Sequence, residues 1–494
     1  QVMAYYFGAG MATDAFVTAF RIPNLLRDMF AEGALSSAFV PVFKDKLVRE
    51  SKEEALQLAN RVISAMLIVV GAIVVLGIIF SPFIVKLTAW GFSDEPGKFA
   101  LTVALTQIMW IFLLLVSLAA VVMGMLNSFG VFGIPAFSPA MFNVGSIATV
   151  LILYGVLDEP IYAMAIGVVV GGFGQLIVQL PALRKAGFQF SFVAKPIDAG
   201  VKRVTKLIWP MMIGLSAGRI NILVATLVAS FLAEGSISYL NYAFRLMHLP
   251  MGVFAVALGT VALPKVAELF SRGDKSGLQH TFSEAFNLNL LLVAPSAIFF
   301  VISGEKVLRV IYGHGAFTPE DVSNTQRALW HYSYGLLGFS AVRVVAPFFY
   351  AAGDSRRPMF YSIVSVVANL ILYYPLVKWF DFAGLAAAAS IGGIMNATLL
   401  LSSLSECGIK VAWMDLAKTT LKIVVGASLS LFAADWIAER FVSDASLFGR
   451  VIQLVVIMGL SGILYWLACM VLRIEEVHQI TTKLRGLVAR RSDR

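Results

Sequence analysis

Apolar runs of about 20 residues recur along the chain, separated by short stretches that carry most of its polar and charged positions. A run of that length crosses the hydrocarbon core of a bilayer as one helix. The pattern predicts spans at 1–8 (partial), 14–43, 62–88, 99–126, 134–155, 160–182, 207–232, 236–264, 282–312, 325–351, 359–378, 384–405, 419–437 and 449–472. The first run begins at Gln1 and stops at the Gly8-Ala9-Gly10 break, so it reads as a truncated span. The second is the weakest by hydropathy, because Arg21, Arg27, Asp28 and Glu32 interrupt it. Several runs exceed 25 residues and are expected to tilt or to project beyond the bilayer.

The pattern also repeats. AFRIPNLLRDMFAEGALSSAFVP, from Ala19 to Pro41, has the texture of AFRLMHLPMGVFAVALGTVALP, from Ala243 to Pro264. A second pair is AMAIGVVVGGFGQLIVQLPALRKAG (163–187) and GLAAAASIGGIMNATLLLSSLSECG (384–408). Partners lie six spans apart, so the two halves have the same orientation, a parallel repeat of the kind transporters use. The expected fold is therefore an all-α polytopic membrane protein of about fourteen transmembrane helices. Its expected parts are an N-lobe at 1–182, a linker at 183–206, a C-lobe at 207–405, two extra helices within 406–472 and a basic tail at 473–494.

Composition agrees with a lipid-embedded chain: 59% of residues are hydrophobic and 14% charged, where soluble domains carry about one quarter charged residues. The net charge of +9 raises the question of nucleic acid. Its distribution answers it, because the basic residues sit in loops on one side. With the N-terminus placed in the cytoplasm, the inner loops and their helix ends hold 25 of the 38 Lys and Arg, and the outer side holds eight. That is the positive-inside bias, and it puts both termini in the cytoplasm. Two cysteines imply no disulfide framework. No metal-binding spacing or Walker sequence occurs; Gly97-Lys98 is followed by Phe99. No cofactor is expected, so transport must draw on a gradient, the membrane potential or the substrate itself.

Ionisable residues at membrane depth are costly and mark function. The in-span cations are Arg21, Arg27, Arg219, Arg245 and Arg343; the acids are chiefly Asp28 and Glu32, with Asp14 at a span edge. In the second span Arg27 and Asn24 share one direction, and Arg21, Asp28 and Glu32 another. Asp14 is read either as a helix cap or as a functional acid. In the eighth span Asn241, Arg245, His248, Gly252, Ala255 and Gly259 form one stripe, polar at one end and small along the rest. Close helix packing explains the small part. Pro347 is expected to break the helix that carries Arg343. The excess of arginines, whose planar forks grip phosphate oxygens in pairs, points to an anionic ligand, with phosphate the natural candidate. A drug exporter would instead present carboxylates. A membrane glycosyltransferase would need a catalytic outer loop, and none here exceeds about 15 residues.

The stretch GAGMATDAFVTAFRIPNLLRDMFAEGALSSAFVP (8–41) resembles the signature of the MurJ/MviN lipid II flippases, in the superfamily that also holds the MATE transporters. YAFRLMHLPMGVFAVALGTVALP (242–264) and APFFYAAGDSRRP (346–358) extend the resemblance along essentially the whole chain. It implies a MATE-like fold in the bacterial inner membrane and alternating access. The implied cargo is an undecaprenyl-pyrophosphate-linked disaccharide-pentapeptide, with membrane lipids and the cell-wall machinery as neighbours. Asp14, Arg27 and Arg245 match positions the family needs for function, and Glu32 lies in the matching AEGA segment. The two extra helices would form a groove for the lipid tail. Phe244 stands where relatives often carry an acid. Asn369 and Asn396 match a sodium-binding region, but Tyr373 follows one turn after Asn369. That departure favours a voltage-driven reading. The rival readings are a MATE-like exporter of small amphipathic compounds and a flippase for another polyprenyl-linked glycan.

Overall fold

In a computed structural model, which describes residues 1–27, 34–478 and 481, the chain is helical, and no strand occurs among those residues. In chain order the helices are α1 (Val2–Phe7), α2 (Met11–Arg27), α3 (Ala34–Arg49), α4 (Lys52–Thr88), α5 (Pro96–Ser128), α6 (Gly133–Leu153), α7 (Tyr162–Ile177), α8 (Leu180–Lys185) and α9 (Ala199–Ala229). They continue with α10 (Ser236–Pro250), α11 (Ala257–Arg272), α12 (Lys275–Ile311), α13 (Pro319–Ala351), α14 (Arg356–Phe380), α15 (Ala383–Ser402), α16 (Trp413–Phe441) and α17 (Leu447–Val471). Among the described residues, eleven helical segments are long and apolar enough to cross a membrane. The three other expected spans fall on α1, on α2 with α3, and on α9.

Side-chain caps start the long helices where the sequence supplies them. Ser51 accepts from the Glu54 amide at the head of α4, Asp198 from Val201 at α9, and Asp274 from Gly277 at α12. Thr318 and Asp321 exchange hydrogen bonds as a capping box, which starts α13 six residues before the apolar run. The break expected at Pro347 does not occur. α13 runs through Pro347 and α2 through Pro23; the neighbouring helices of a bundle hold a proline-interrupted turn in place. A different break occurs in the eighth span. Directly after Pro250, Met251–Val256 form a π-turn that links α10 to α11. Proline has no amide to donate, and a widened turn re-sorts the backbone bonds around it.

The contacts divide the chain into two compact units, residues 9–238 and residues 239–478 with 3–8. In the first unit α4 and α2 pack on α5, and α7 packs on both α5 and α6. In the second, α12 and α11 pack on α13, and α15 packs on both α13 and α14. The corresponding helices match in length: α4 and α12 have 37 residues each, α5 and α13 have 33 each. α13 and α15 approach so closely that a methyl on Gly338 would lie 2.5 Å from the Ile394 nitrogen, the small-residue packing membrane helices use. The 183–206 linker is strapped to its own unit. Ser191 donates to Asn60, Val193 to Ser64, Arg61 to Asp198 and Arg203 to Asp45. In the second unit, α16 and α17 pack on α12, where Ile423, Cys469 and Ile474 join a core with Phe282, Phe286 and Phe348.

Candidate functional site

Within residues 9–238, the predicted site residues lie on α2 and α9. Asp14, 1% exposed, is fully engaged by protein donors. Lys98 Nζ donates to it at 3.2 Å, the Gly235 and Ser238 amides at 2.9 Å each, and the Ser238 hydroxyl at 2.6 Å. It thus does more than begin its own helix: it holds the turn that follows α9. Lys98, which hydropathy alone puts at an outer helix end, is itself only 2% exposed. Its ammonium also stands over the Phe92 ring, 4.3 Å from the centroid. The sequence reading missed this pair. The two residues stand 84 positions apart, and the apolar pattern does not show which helices of one half are neighbours.

Further along α2, Arg21 donates to the Ile222 carbonyl at 3.2 Å and to the Thr226 hydroxyl, both on α9. Asn24 and Arg27 are half-buried on the following turns. Arg219 lies on α9, two turns before Thr226. Glu32, like Asp28, falls outside the described residues.

In the second unit, α10 carries Asn241 and Arg245. Arg245 is exposed, and its Nε–H makes one long hydrogen bond to Asn241 Oδ1 at 3.5 Å. One side of Asn241 is sealed, its amide nitrogen buried without a partner. His248 Nδ1–H donates locally to the Phe244 carbonyl at 2.9 Å and lies within electrostatic reach of Arg343 on α13, which is also exposed. The small half of the stripe divides. A methyl on Gly259 would meet the Arg343 carbonyl oxygen at 2.7 Å, so Gly259 is a packing residue; Gly252 faces open space. Asn241, Arg245 and Arg343 thus come from two packed segments of one unit, and both arginine heads are free to reach solvent or ligand.

Beside them lies an apolar groove of about 460 Å³, walled by α10, the π-turn, α12, α16 and α17. Leu246 and Leu249 form its wall on α10, Phe299 that on α12, and Leu431 and Met458 that on the extra pair. Leu249, in the groove wall, stands one turn after Arg245 on α10, so the cationic position and the oily channel share one helix. The π-turn contributes Val253 and Phe254 to the wall.

The family profile described as "Lipid II flippase MurJ" matches residues 3–456. A protein of Burkholderia cenocepacia named "Lipid II flippase MurJ" is 33% identical over 412 residues, covering 83% of this chain and 80% of that one. A Haemophilus influenzae protein named "Probable lipid II flippase MurJ" is 32% identical over 503 residues, covering 97% of both. A solved structure titled "Lipid II flippase MurJ, inward closed conformation" superposes with a TM-score of 0.77 at 26% identity and 96% coverage of each chain. An inward-facing multidrug MATE transporter of the MOP superfamily shares the fold, with a TM-score of 0.67 at 14% identity over 82% of this chain and 93% of that one.

Proposed function

Since the chain belongs to the MurJ lipid II flippase family, we propose that it carries lipid II from the cytoplasmic to the outer leaflet of the bacterial inner membrane by alternating access. The observation that carries the reading to this chain's own residues is the junction of Arg245 with the apolar groove. Lipid II is a pyrophosphate with a sugar-peptide head on one side and a long polyprenyl tail on the other. A guanidinium with open donors suits the pyrophosphate, and the groove suits the first isoprene units. Asn241 orients Arg245, and Arg343 adds a second positive charge in the same unit. Arg27 and Arg21, on the repeat-related helix, supply the matching cations of the other unit, with Arg219, Asn24, Glu32 and Asp14 as further members of the binding set. No bond is made or broken: the chemistry is recognition and release. The excess of Lys and Arg in the inner loops supports cytoplasmic termini.

The test is growth rescue in a bacterium depleted of its own flippase, scored beside membrane abundance. Arg27→Ala and Arg245→Ala are each expected to abolish rescue at near-normal abundance, while Arg245→Lys keeps a fraction. Full rescue by both alanine variants sinks the assignment of these arginines to the substrate.

A further inference from the structure

A second pocket, of about 340 Å³, lies where the C-terminal ends of α12 and α16 meet the start of α17. Ion pairs join its first two walls. Lys306 donates to Asp435 at 2.8 Å and to Glu439 at 2.7 Å, Ser303 donates to Asp435 at 2.9 Å, and Arg309 pairs with Glu305 at 2.6 Å. The third wall is left over. Gln453 is 6% exposed, lines this pocket and has no hydrogen-bond partner among the described residues. Arg450 commits only its Nε–H, to the Asp444 carbonyl at 3.0 Å. The terminal guanidinium nitrogens and the Asp444 carboxylate, both in the pocket lining, make no ion pair among the described residues. The Gln453 amide opens onto the pocket, so its hydrogen bonds go to whatever occupies that space.

The surroundings say where an occupant comes from. Trp436, Phe441 and Phe448 stand largely exposed around the pocket, as aromatic side chains do at headgroup level. Val451 and Val455 continue along α17 towards its middle as an apolar path. The lining holds three cations and four carboxylates, so a net anionic headgroup would add to an existing negative excess. A zwitterion would not, and only an ammonium bearing hydrogens can bond the carboxylates. We propose that this pocket holds the headgroup of a phosphatidylethanolamine, its phosphate on Arg450 and Gln453 and its ammonium on Asp444 and Glu439.

The full chain, purified and stripped of lipid, is titrated by native mass spectrometry with phosphatidylethanolamine, phosphatidylglycerol and phosphatidylcholine. The ethanolamine lipid is expected to bind about tenfold more tightly than either other lipid, the effect of one charge-assisted hydrogen bond. Arg450→Gln and Gln453→Leu should each remove most of that preference and leave the melting temperature near that of the unaltered protein. Equal binding of the three lipids, or a preference untouched in both variants, overturns the proposal. If a variant does not fold, the ranking on the unaltered chain decides. Glycerophosphoethanolamine, which lacks acyl chains, should fail to displace the lipid at millimolar concentration; full displacement would assign the site to a soluble zwitterion instead.

Discussion

Asp14 and Lys98 show what a single charge does when it leaves water. A buried ion pair is sustained only when every lone pair and proton finds a partner; Asp14 has four donors, and Lys98 has Asp14 and the Phe92 ring. Lys98→Met strips the carboxylate of its counter-charge and is expected to cost about 3–5 kcal/mol, the usual effect of breaking a buried pair from one side. Asp14→Asn combined with Lys98→Met should restore most of the loss, as read from melting temperatures in detergent. If the double variant melts as low as the single one, the two residues do not act as a pair. Hydropathy could not reveal this pairing. It gives the depth of Lys98 at a helix end but not its direction, and a lysine there has the alternative of snorkelling to the interface. The arginines were legible because a guanidinium in mid-span has no such exit. Their partners were not, since Arg21 meets Thr226 across 205 residues of sequence.

At the level of helices, the apolar runs marked almost every element, because one run of about 20 residues makes one crossing. They marked the ends poorly. α9 begins at Ala199, eight residues before its expected span, and α13 at Pro319, because side-chain caps and not hydropathy set a helix start. The π-turn after Pro250 was not visible at all, since it changes hydrogen-bond register without changing the apolar pattern. Orientation rests on charge, and cysteine labelling tests it. A membrane-impermeant maleimide added outside should label Asp158→Cys and not Arg356→Cys. The native thiols interfere little: Cys407 and Cys469 are buried, and burial pushes the Cys407 thiol up, so its reactive thiolate is scarce at neutral pH. The reverse labelling pattern would overturn the proposed sidedness.

For the molecule as a transporter, the open question is its driving force. Moving one elementary charge through 100 mV is worth about 2.3 kcal/mol, and a lipid pyrophosphate travelling outward moves down a negative-inside potential. Tyr373 stands one turn after Asn369 where an acid would serve a sodium ion, and it is buried there. Outward flipping is therefore expected to fall when valinomycin and potassium collapse the potential, and to persist when choline replaces sodium. Loss of flipping in choline with the potential intact would refute a voltage-only drive. Assembly sets a constraint of another kind. The short helix α1 packs with residues far along the chain: the Ala316 amide donates to the Tyr5 carbonyl, and the Tyr242 hydroxyl to that of Gly8. At synthesis rates of about 5–20 residues per second, the 311 residues that follow Tyr5 up to and including Ala316 take roughly 15–60 s to appear. The Gly8 bond must wait for Tyr242, 234 positions further on, and the Tyr5 bond longer still, for Ala316. Contacts this distant in sequence form late, so the second unit closes only after most of the chain has been inserted. A ribosome stalled before residue 316 should leave a cysteine at Ala4→Cys open to a thiol reagent, whereas release of the full chain should protect it, since Ala4 is fully buried in the finished fold.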